Sequence, residues 1–266
     1  MGNACCLQGG HGESVENNDV SRKNLEKRSK HTFSNGATYT GEWMGTLRHG
    51  LGVQEWTDGA RYEGEWADDK ARGQGKFQHV GGDIYQGQWL EDMAHGHGVY
   101  NHADGSKYEG QWFEDKQHGS GFEVWPDGAK YEGEYSFGRK NGKGHFDWAD
   151  GSSYHGEFLD NDMHGRGQYR WGDGRQYVGD WVANRMHGKG AFTWTDGRSY
   201  DGEYVNDLKE GTGIFKWPDG RQYEGQWADG KQHGTGKYTT ARGESRQGQW
   251  ENGERIRWVG GEATIN

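Results

Sequence analysis

Large rings and polar residues alternate with period two in short runs along the chain, as in YEGEW (Tyr62 to Trp66) and YEGQW (Tyr108 to Trp112). The ring positions and the central glycine fall on one side, and Glu or Gln on the other. This spacing predicts a β-strand with one packed face and one wet face. Glu63, Glu65, Glu132, Glu134, Glu203 and Glu224 are expected to form an exposed acidic ladder on the wet face. A second strand type follows each of these runs. It reads G-x-G-x-aromatic-x-Trp, as in GKGHFDW (Gly142 to Trp148) and GTGIFKW (Gly211 to Trp217). Two kinds of turn join the strands. One is Asp-Gly, at Asp58-Gly59, Asp104-Gly105 and five further places, a strong hairpin signal because glycine accepts positive φ and Asp bonds nearby backbone. The other lies in stretches such as ADDKARG and ADGKQHG.

The hairpins recur every 23 residues without insertion. Tyrosines stand at 39, 62, 85, 108, 131, 154, 177, 200 and 223, and Arg246 holds the tenth place. A glycine follows each two residues on, and an aromatic two further, from Trp43 to Trp250. A lone hairpin is marginally stable, but successive hairpins in register share their faces. The expected fold is therefore all-β: an elongated single-layer antiparallel solenoid of about ten 23-residue hairpins, with a pitch of roughly 10 Å per hairpin. In this reading Gly64, between Tyr62 and Trp66, and Gly110, between Tyr108 and Trp112, are seats for rings, since a Cβ there would push a ring off the sheet. The pattern weakens at both ends. HTFSNGATYTGEW lacks a complete strand before Asn35-Gly36, and Arg257 and Val259 hold the final G-x-G places. These limits divide the chain into a flexible head at 1–32, a repeat body at 33–257 and a tail at 258–266.

The phrase Y-x-G-x-W followed by G-x-G, complete from Tyr108 to Gly121, resembles the MORN (membrane occupation and recognition nexus) repeat. The resemblance covers about residues 33 to 250. It implies a hairpin β-solenoid and a scaffolding role of the kind found in junctional, cytoskeletal, ciliary and lipid-kinase proteins. It names no particular partner.

Composition narrows the chemistry. A net charge of −10 argues against nucleic-acid binding, which needs a positive footprint. It also argues against the whole repeat body lying on anionic lipid, although Lys116, Lys140, Arg166, Lys189 and Lys231 are candidates to align along one edge. No apolar run is long enough for a membrane-spanning helix. The G-x-G pairs lack the Walker and Rossmann contexts. Histidines at 49, 95, 118, 164, 187 and 233 share one column, but at a pitch of roughly 10 Å they cannot converge on one metal, so a turn-covering role is expected. The turn carboxylates repeat without any member set apart, as paired-acid catalysis would require. The expectations are no enzyme, no metal and no cofactor.

Location must come from the non-repeated head, MGNACCLQGG. Gly2 is placed for N-myristoylation, and Cys5 and Cys6, the only cysteines, for S-palmitoylation. One acyl chain holds reversibly, and a second signal makes the anchor stable. The segment SRKNLEKRSK adds Arg22, Lys23, Lys27, Arg28 and Lys30, basic residues suited to an anionic cytoplasmic leaflet. Together these features predict a non-catalytic scaffold tethered to the cytoplasmic face of a membrane. Its body would bind a basic protein surface through the acidic ladder, or an amphipathic helix across the aromatic side. End-to-end homodimers through open sheet edges are a further expectation. The alternative reading is a structural component of a cilium, flagellum or cortical cytoskeleton.

Overall fold

The structure, a computed structural model, describes residues 24–265. Among them are 21 β-strands and no helix. Strand β1 (Glu26–Thr32) pairs with β2 (Thr38–Met44), and β2 with β3 (Leu47–Glu55). Each later strand likewise pairs antiparallel with the one before it within its unit. Two compact units result. Residues 24–103 hold seven strands and residues 104–265 hold fourteen, and each unit is an open meander in a single layer.

One face of each sheet is packed by its own rings. Tyr39, Tyr62, Tyr108, Tyr131, Tyr154, Tyr177, Tyr200 and Tyr223 are essentially inaccessible, although no second layer covers them among the described residues. The glycines explain how. A Cβ on Gly75, across the hairpin from Gly64, would stand inside the Tyr62 ring, and one on Gly64 would meet the Gly75 Cα at 2.5 Å. Each tyrosine therefore lies flat on two glycine backbones. Two further rings close over it edge-on. Tyr62 meets Trp66 at 5.0 Å and 84° and Trp89 at 5.2 Å and 88°. In the other unit Tyr154 is wedged the same way between Phe158 and Trp181. Such edge-to-face pairs contribute about 0.5–1.5 kcal/mol each beyond area burial.

A bulge completes the unit. In the first hairpin of each repeat the register shifts just after the central glycine, as between Gly64 and Trp66. The shift frees a carbonyl, and the buried tyrosine hydroxyl donates to it. Tyr62 Oη donates to the Glu65 carbonyl at 2.9 Å, and the eight other column tyrosines do the same at 2.9–3.1 Å. Burial pushes the Tyr39 hydroxyl up to about 12 and raises the others of the column that shift, so these groups serve as donors and not as proton shuttles.

The turns are built from local acceptors. Asp58 Oδ1 accepts the Ala60 N–H at 3.0 Å while Gly59 takes φ +95°, the Asx arrangement expected of Asp-Gly. In the opposite turn Asp68 and Asp69 have φ of 49° and 68°, the signature of a type I′ turn. That turn reaches back to the preceding hairpin. The Asp69 N–H donates to the Arg48 carbonyl at 3.0 Å, and the Arg48 N–H returns a bond to Asp69 Oδ1 at 2.8 Å. Asn161 on Lys140 and Asp207 on Met186 repeat this clasp.

The ends differ from the expected boundaries. Strand pairing begins at Glu26, inside the segment assigned to the head, because His31 and Phe33 place rings within 5.5 and 6.4 Å of Trp43 and so pin the strand to β2. At the other end Glu254–Ile265 pairs with Glu244–Glu251, so the backbone remains in a strand as far as Ile265, within the segment assigned to a tail. Where Arg246 replaces the column tyrosine, the Trp250 ring occupies the space above Gly248, and Arg246 lies over Trp258 at 5.1 Å.

Candidate interaction surface

The residues that the repeat singles out sit in the packing. Tyr62 and Trp66 are buried with Gly64 beneath the Tyr62 ring, and Tyr108 meets Trp112 edge-on at 5.2 Å above Gly110. The lipidation positions Gly2, Cys5 and Cys6, and the basic residues Arg22 and Lys23, lie outside the described residues. Lys27, Arg28 and Lys30 are on β1. Arg28 pairs with Glu26 at 2.6 Å and Lys30 with Glu55 at 3.4 Å, so part of the basic run is already neutralised on the edge strand.

The wet face is less free than an acidic ladder implies. Glu65, Glu134 and Glu203 each fold back onto the bulge. Glu65 Oε1 accepts the Gln74 N–H at 2.8 Å, Glu134 that of Lys143 at 3.2 Å, and Glu203 that of Thr212 at 3.2 Å. Gln88, Gln111 and Gln226 make the same bond at 2.7–2.9 Å. A Cβ on Gly73, which has φ +75°, would run into the Glu65 carboxylate. The column thus needs an acceptor, and a charge is optional. Glu63 is paired with Arg61 at 2.7 Å, which leaves Glu132 and Glu224 as exposed members of the expected ladder.

The expected row of cations is also dispersed. Lys116 and Lys231 begin strands, whereas Arg166 and Lys189 stand where the backbone meets the bulge acceptor. Lys140 belongs to a third column and turns onto the aromatic face. The histidine column caps turns where the structure shows its bonds. His49 Nδ1 accepts the Asp68 N–H at 3.3 Å and His118 that of Phe137 at 3.4 Å, while Glu210 in the same column accepts that of Asp229 at 3.0 Å. Among the described residues no group of His, Cys, Asp and Glu is placed to hold a metal ion.

What remains available is the aromatic face. In the unit of residues 104–265 a second row of rings runs beside the buried tyrosines. Its members are Trp125, Phe146, Trp148, Tyr169, Trp171, Phe192, Trp194, Phe215, Trp217 and Tyr238, with successive centroids 4.4–6.2 Å apart. The five tryptophans of this row are half-buried, and no layer lies over them among the described residues. Three carry an arginine on one ring face. Arg175, Arg198 and Arg221 stand 5.2–5.4 Å over Trp171, Trp194 and Trp217, each held by the Asp of its own turn at 2.7–2.8 Å. In residues 24–103 the equivalent row is mixed, with Gln54, Phe77, His79, Tyr100 and His102 among its members.

Four cations share one column; Arg255 is exposed and lies 4.2 Å over Trp258, and the other three are withdrawn from solvent into this face. Arg48 lies 4.2 Å over Trp66, pairs with Asp69 at 3.1 Å and donates to Gln54 Oε1 at 3.1 Å. Lys140 stands within 4.9–5.7 Å of Trp125, Tyr131, Tyr135 and Phe146, and pairs with Glu123 at 3.4 Å. Glu123 also accepts the Tyr135 hydroxyl at 2.8 Å. Lys209 stands within 5.2–5.7 Å of Trp194, Tyr200, Phe215 and Trp227. Burial pulls the Lys209 amine below the ordinary lysine range, and nearby Arg198 adds to the effect.

Nine segments of the chain match the MORN repeat model: 39–61, 62–84, 85–107, 108–130, 131–153, 154–174, 177–197, 200–220 and 223–245. The chain belongs to the MORN repeat family. The MORN match starts each segment at a column tyrosine, so the flat ring on paired glycines is the element that every copy shares. No curated protein matches the chain at a significant level. Among solved structures the chain is similar to the TCP10 domain of Danio rerio CPAP in complex with a STIL peptide. The identity is 12%, the coverage is 86% of this chain and 97% of that one, and the TM-score is 0.46. It is also similar to the SAS-4 TCP domain of Drosophila melanogaster in complex with a proline-rich motif of Ana2, at 13% identity, 74% and 96% coverage and a TM-score of 0.35.

The sequence missed three features of this MORN surface. The tyrosine hydroxyl bond and the bulge leave no residue signal of their own. The acceptor column did leave one, because Glu, Gln and Asp interchange there and Lys never enters.

Proposed function

We propose that the protein is a non-catalytic scaffold held at the cytoplasmic face of a membrane by its acylated head, and that it binds a protein partner on the aromatic face of its MORN repeats. The observation that carries this reading is the run of ten rings from Trp125 to Tyr238, half-buried in part and, among the described residues, uncovered on one side of a single-layer sheet. A row of this kind offers large amphipathic contact area at low entropic cost, as interface hot spots do. On the opposite face Glu65, Glu134, His49 and His118 accept backbone N–H bonds, which leaves them less free to recognise a partner. Attachment is assigned to Gly2, Cys5 and Cys6, helped by Arg22, Lys23 and Lys27, since two acyl chains give a stable anchor where one does not.

Proximity labelling in cells with the intact chain and with Gly2→Ala tests both parts. Membrane neighbours should disappear from the Gly2→Ala sample, while a partner bound through the repeats should persist in pull-downs. An intact mass without myristate, or a protein that stays in the pellet after mild detergent, would contradict the tether.

A further inference from the structure

Lys209 occupies a column in which Arg48 and Lys140, the two other cations withdrawn from solvent, show what an aromatic-caged cation draws on. Arg48 and Lys140 draw acceptors from three positions: twenty-one residues ahead, where Asp69 serves Arg48; six ahead, where Gln54 serves Arg48; and seventeen behind, where Glu123 serves Lys140. At Lys209 those positions hold Gly230, Phe215 and Phe192. None has a side chain that can accept a bond from an amine. No carboxylate lies within ion-pair distance of Lys209 among the described residues. The acids adjacent to it in sequence are engaged elsewhere: Glu210 accepts the Asp229 N–H and Asp207 that of Met186, while Asp196 pairs with Arg198, which shares the Trp194 ring with Lys209. The Tyr204 hydroxyl beside it is also buried without a partner. A half-buried amine among four rings, without a counter-charge, is a vacant half of an ion pair.

We propose that Lys209 is a docking point for an aspartate or glutamate side chain of a protein partner, whose neighbouring apolar residues lie on Trp194 and Trp217. The proposal rests on the scaffold reading above and names the chemistry of its partner. Charge complementarity decides the acid, since the cage already excludes a second cation. The ring row decides the polypeptide, since it continues on both sides of the cage, past Trp171 and towards Tyr238, over more area than a small free acid can cover. The bound carboxylate would play for Lys209 the part that Glu123 plays for Lys140.

The test is a selection from a displayed library of random dodecapeptides on the full chain, repeated on Lys209→Met. Methionine keeps the volume and the apolar stem and removes the charge. The expected result is enrichment of peptides carrying Asp or Glu beside Leu, Phe or Trp, with affinity falling at least about tenfold on Lys209→Met. Replacing the acid by its amide in a synthetic copy of the best peptide should weaken binding as much, and should add little to the loss on Lys209→Met. Enriched peptides without acids, or acidic peptides that Lys209→Met retains fully, would overturn the proposal and leave the scaffold reading standing. A selection that enriches no peptide at all would overturn both.

Discussion

Lys140 and Lys209 hold the same place in hairpins three repeats apart, each amine facing four rings, yet one is paired and the other is not. The whole difference comes from one column. Glu123 supplies a carboxylate to Lys140 and accepts the Tyr135 hydroxyl as well, whereas Phe192 stands at the matching place beside Lys209 and Tyr204 is left without a partner. The lesson concerns where information lies in a repeat. Columns that hold through nine copies, such as the tyrosine and its two glycines, build the hairpin. Columns that change from copy to copy decide what each hairpin can recognise.

The two cages share their framework, so the largest effect should fall on both alike. Tyr131→Ala and Tyr200→Ala each remove a ring from its glycine seat, together with the bond to the bulge carbonyl. Each should lower stability by about 3–5 kcal/mol, read by urea unfolding. A cost below about 1 kcal/mol for either would mean that the ring seat is not the core. A smaller effect should separate the cages. Glu123→Gln leaves the Lys140 amine, 15% exposed, without its charge partner and should cost about 2 kcal/mol. No change at Lys209 can reproduce that loss, because there is no carboxylate there to remove. The smallest effect belongs to the opposite face. Glu65→Gln should stay within about 0.5 kcal/mol of the parent. Glu65→Ala strands the Gln74 N–H and should cost about 1 kcal/mol. Equal losses for the two would show that the charge, and not the acceptor, is what the bulge uses.

The hairpin ladder was legible because ring stacking is periodic and leaves its period in Tyr, Gly and Trp. The Asp-Gly turns were legible because positive φ is a local demand with a local answer. β1 was not, since EKRSKHT has neither G-x-G nor an alternating apolar pattern, and its strand is imposed by the rings of His31, Phe33 and Trp43. An edge strand rich in lysine and arginine is also what limits edge-to-edge association, so its charge disguised its structure. On the aromatic face the row of rings was visible as a repeat, but its use was not. The contrast between Lys140 and Lys209 depends on the residue seventeen behind, a distance that becomes a contact only when neighbouring hairpins lie side by side.

The most direct test of the account is the stability of Lys140→Met and Lys209→Met measured together by urea unfolding across pH. Losing Lys140 strands the Glu123 carboxylate, so that variant should be less stable than the parent by about 1–2 kcal/mol at pH 7. Losing Lys209 removes a half-buried charge that has no ion-pair partner, so that variant should equal or exceed the parent by up to about 1 kcal/mol. The Lys209 amine titrates lower in the folded chain than in the unfolded one, so its burial cost is full at neutral pH and fades as pH rises through the folded value. The advantage of Lys209→Met should therefore shrink in alkali. Opposite signs at pH 7 are the predicted result; losses of the same sign and size would contradict the claim that one cage is complete and the other is waiting for its acid.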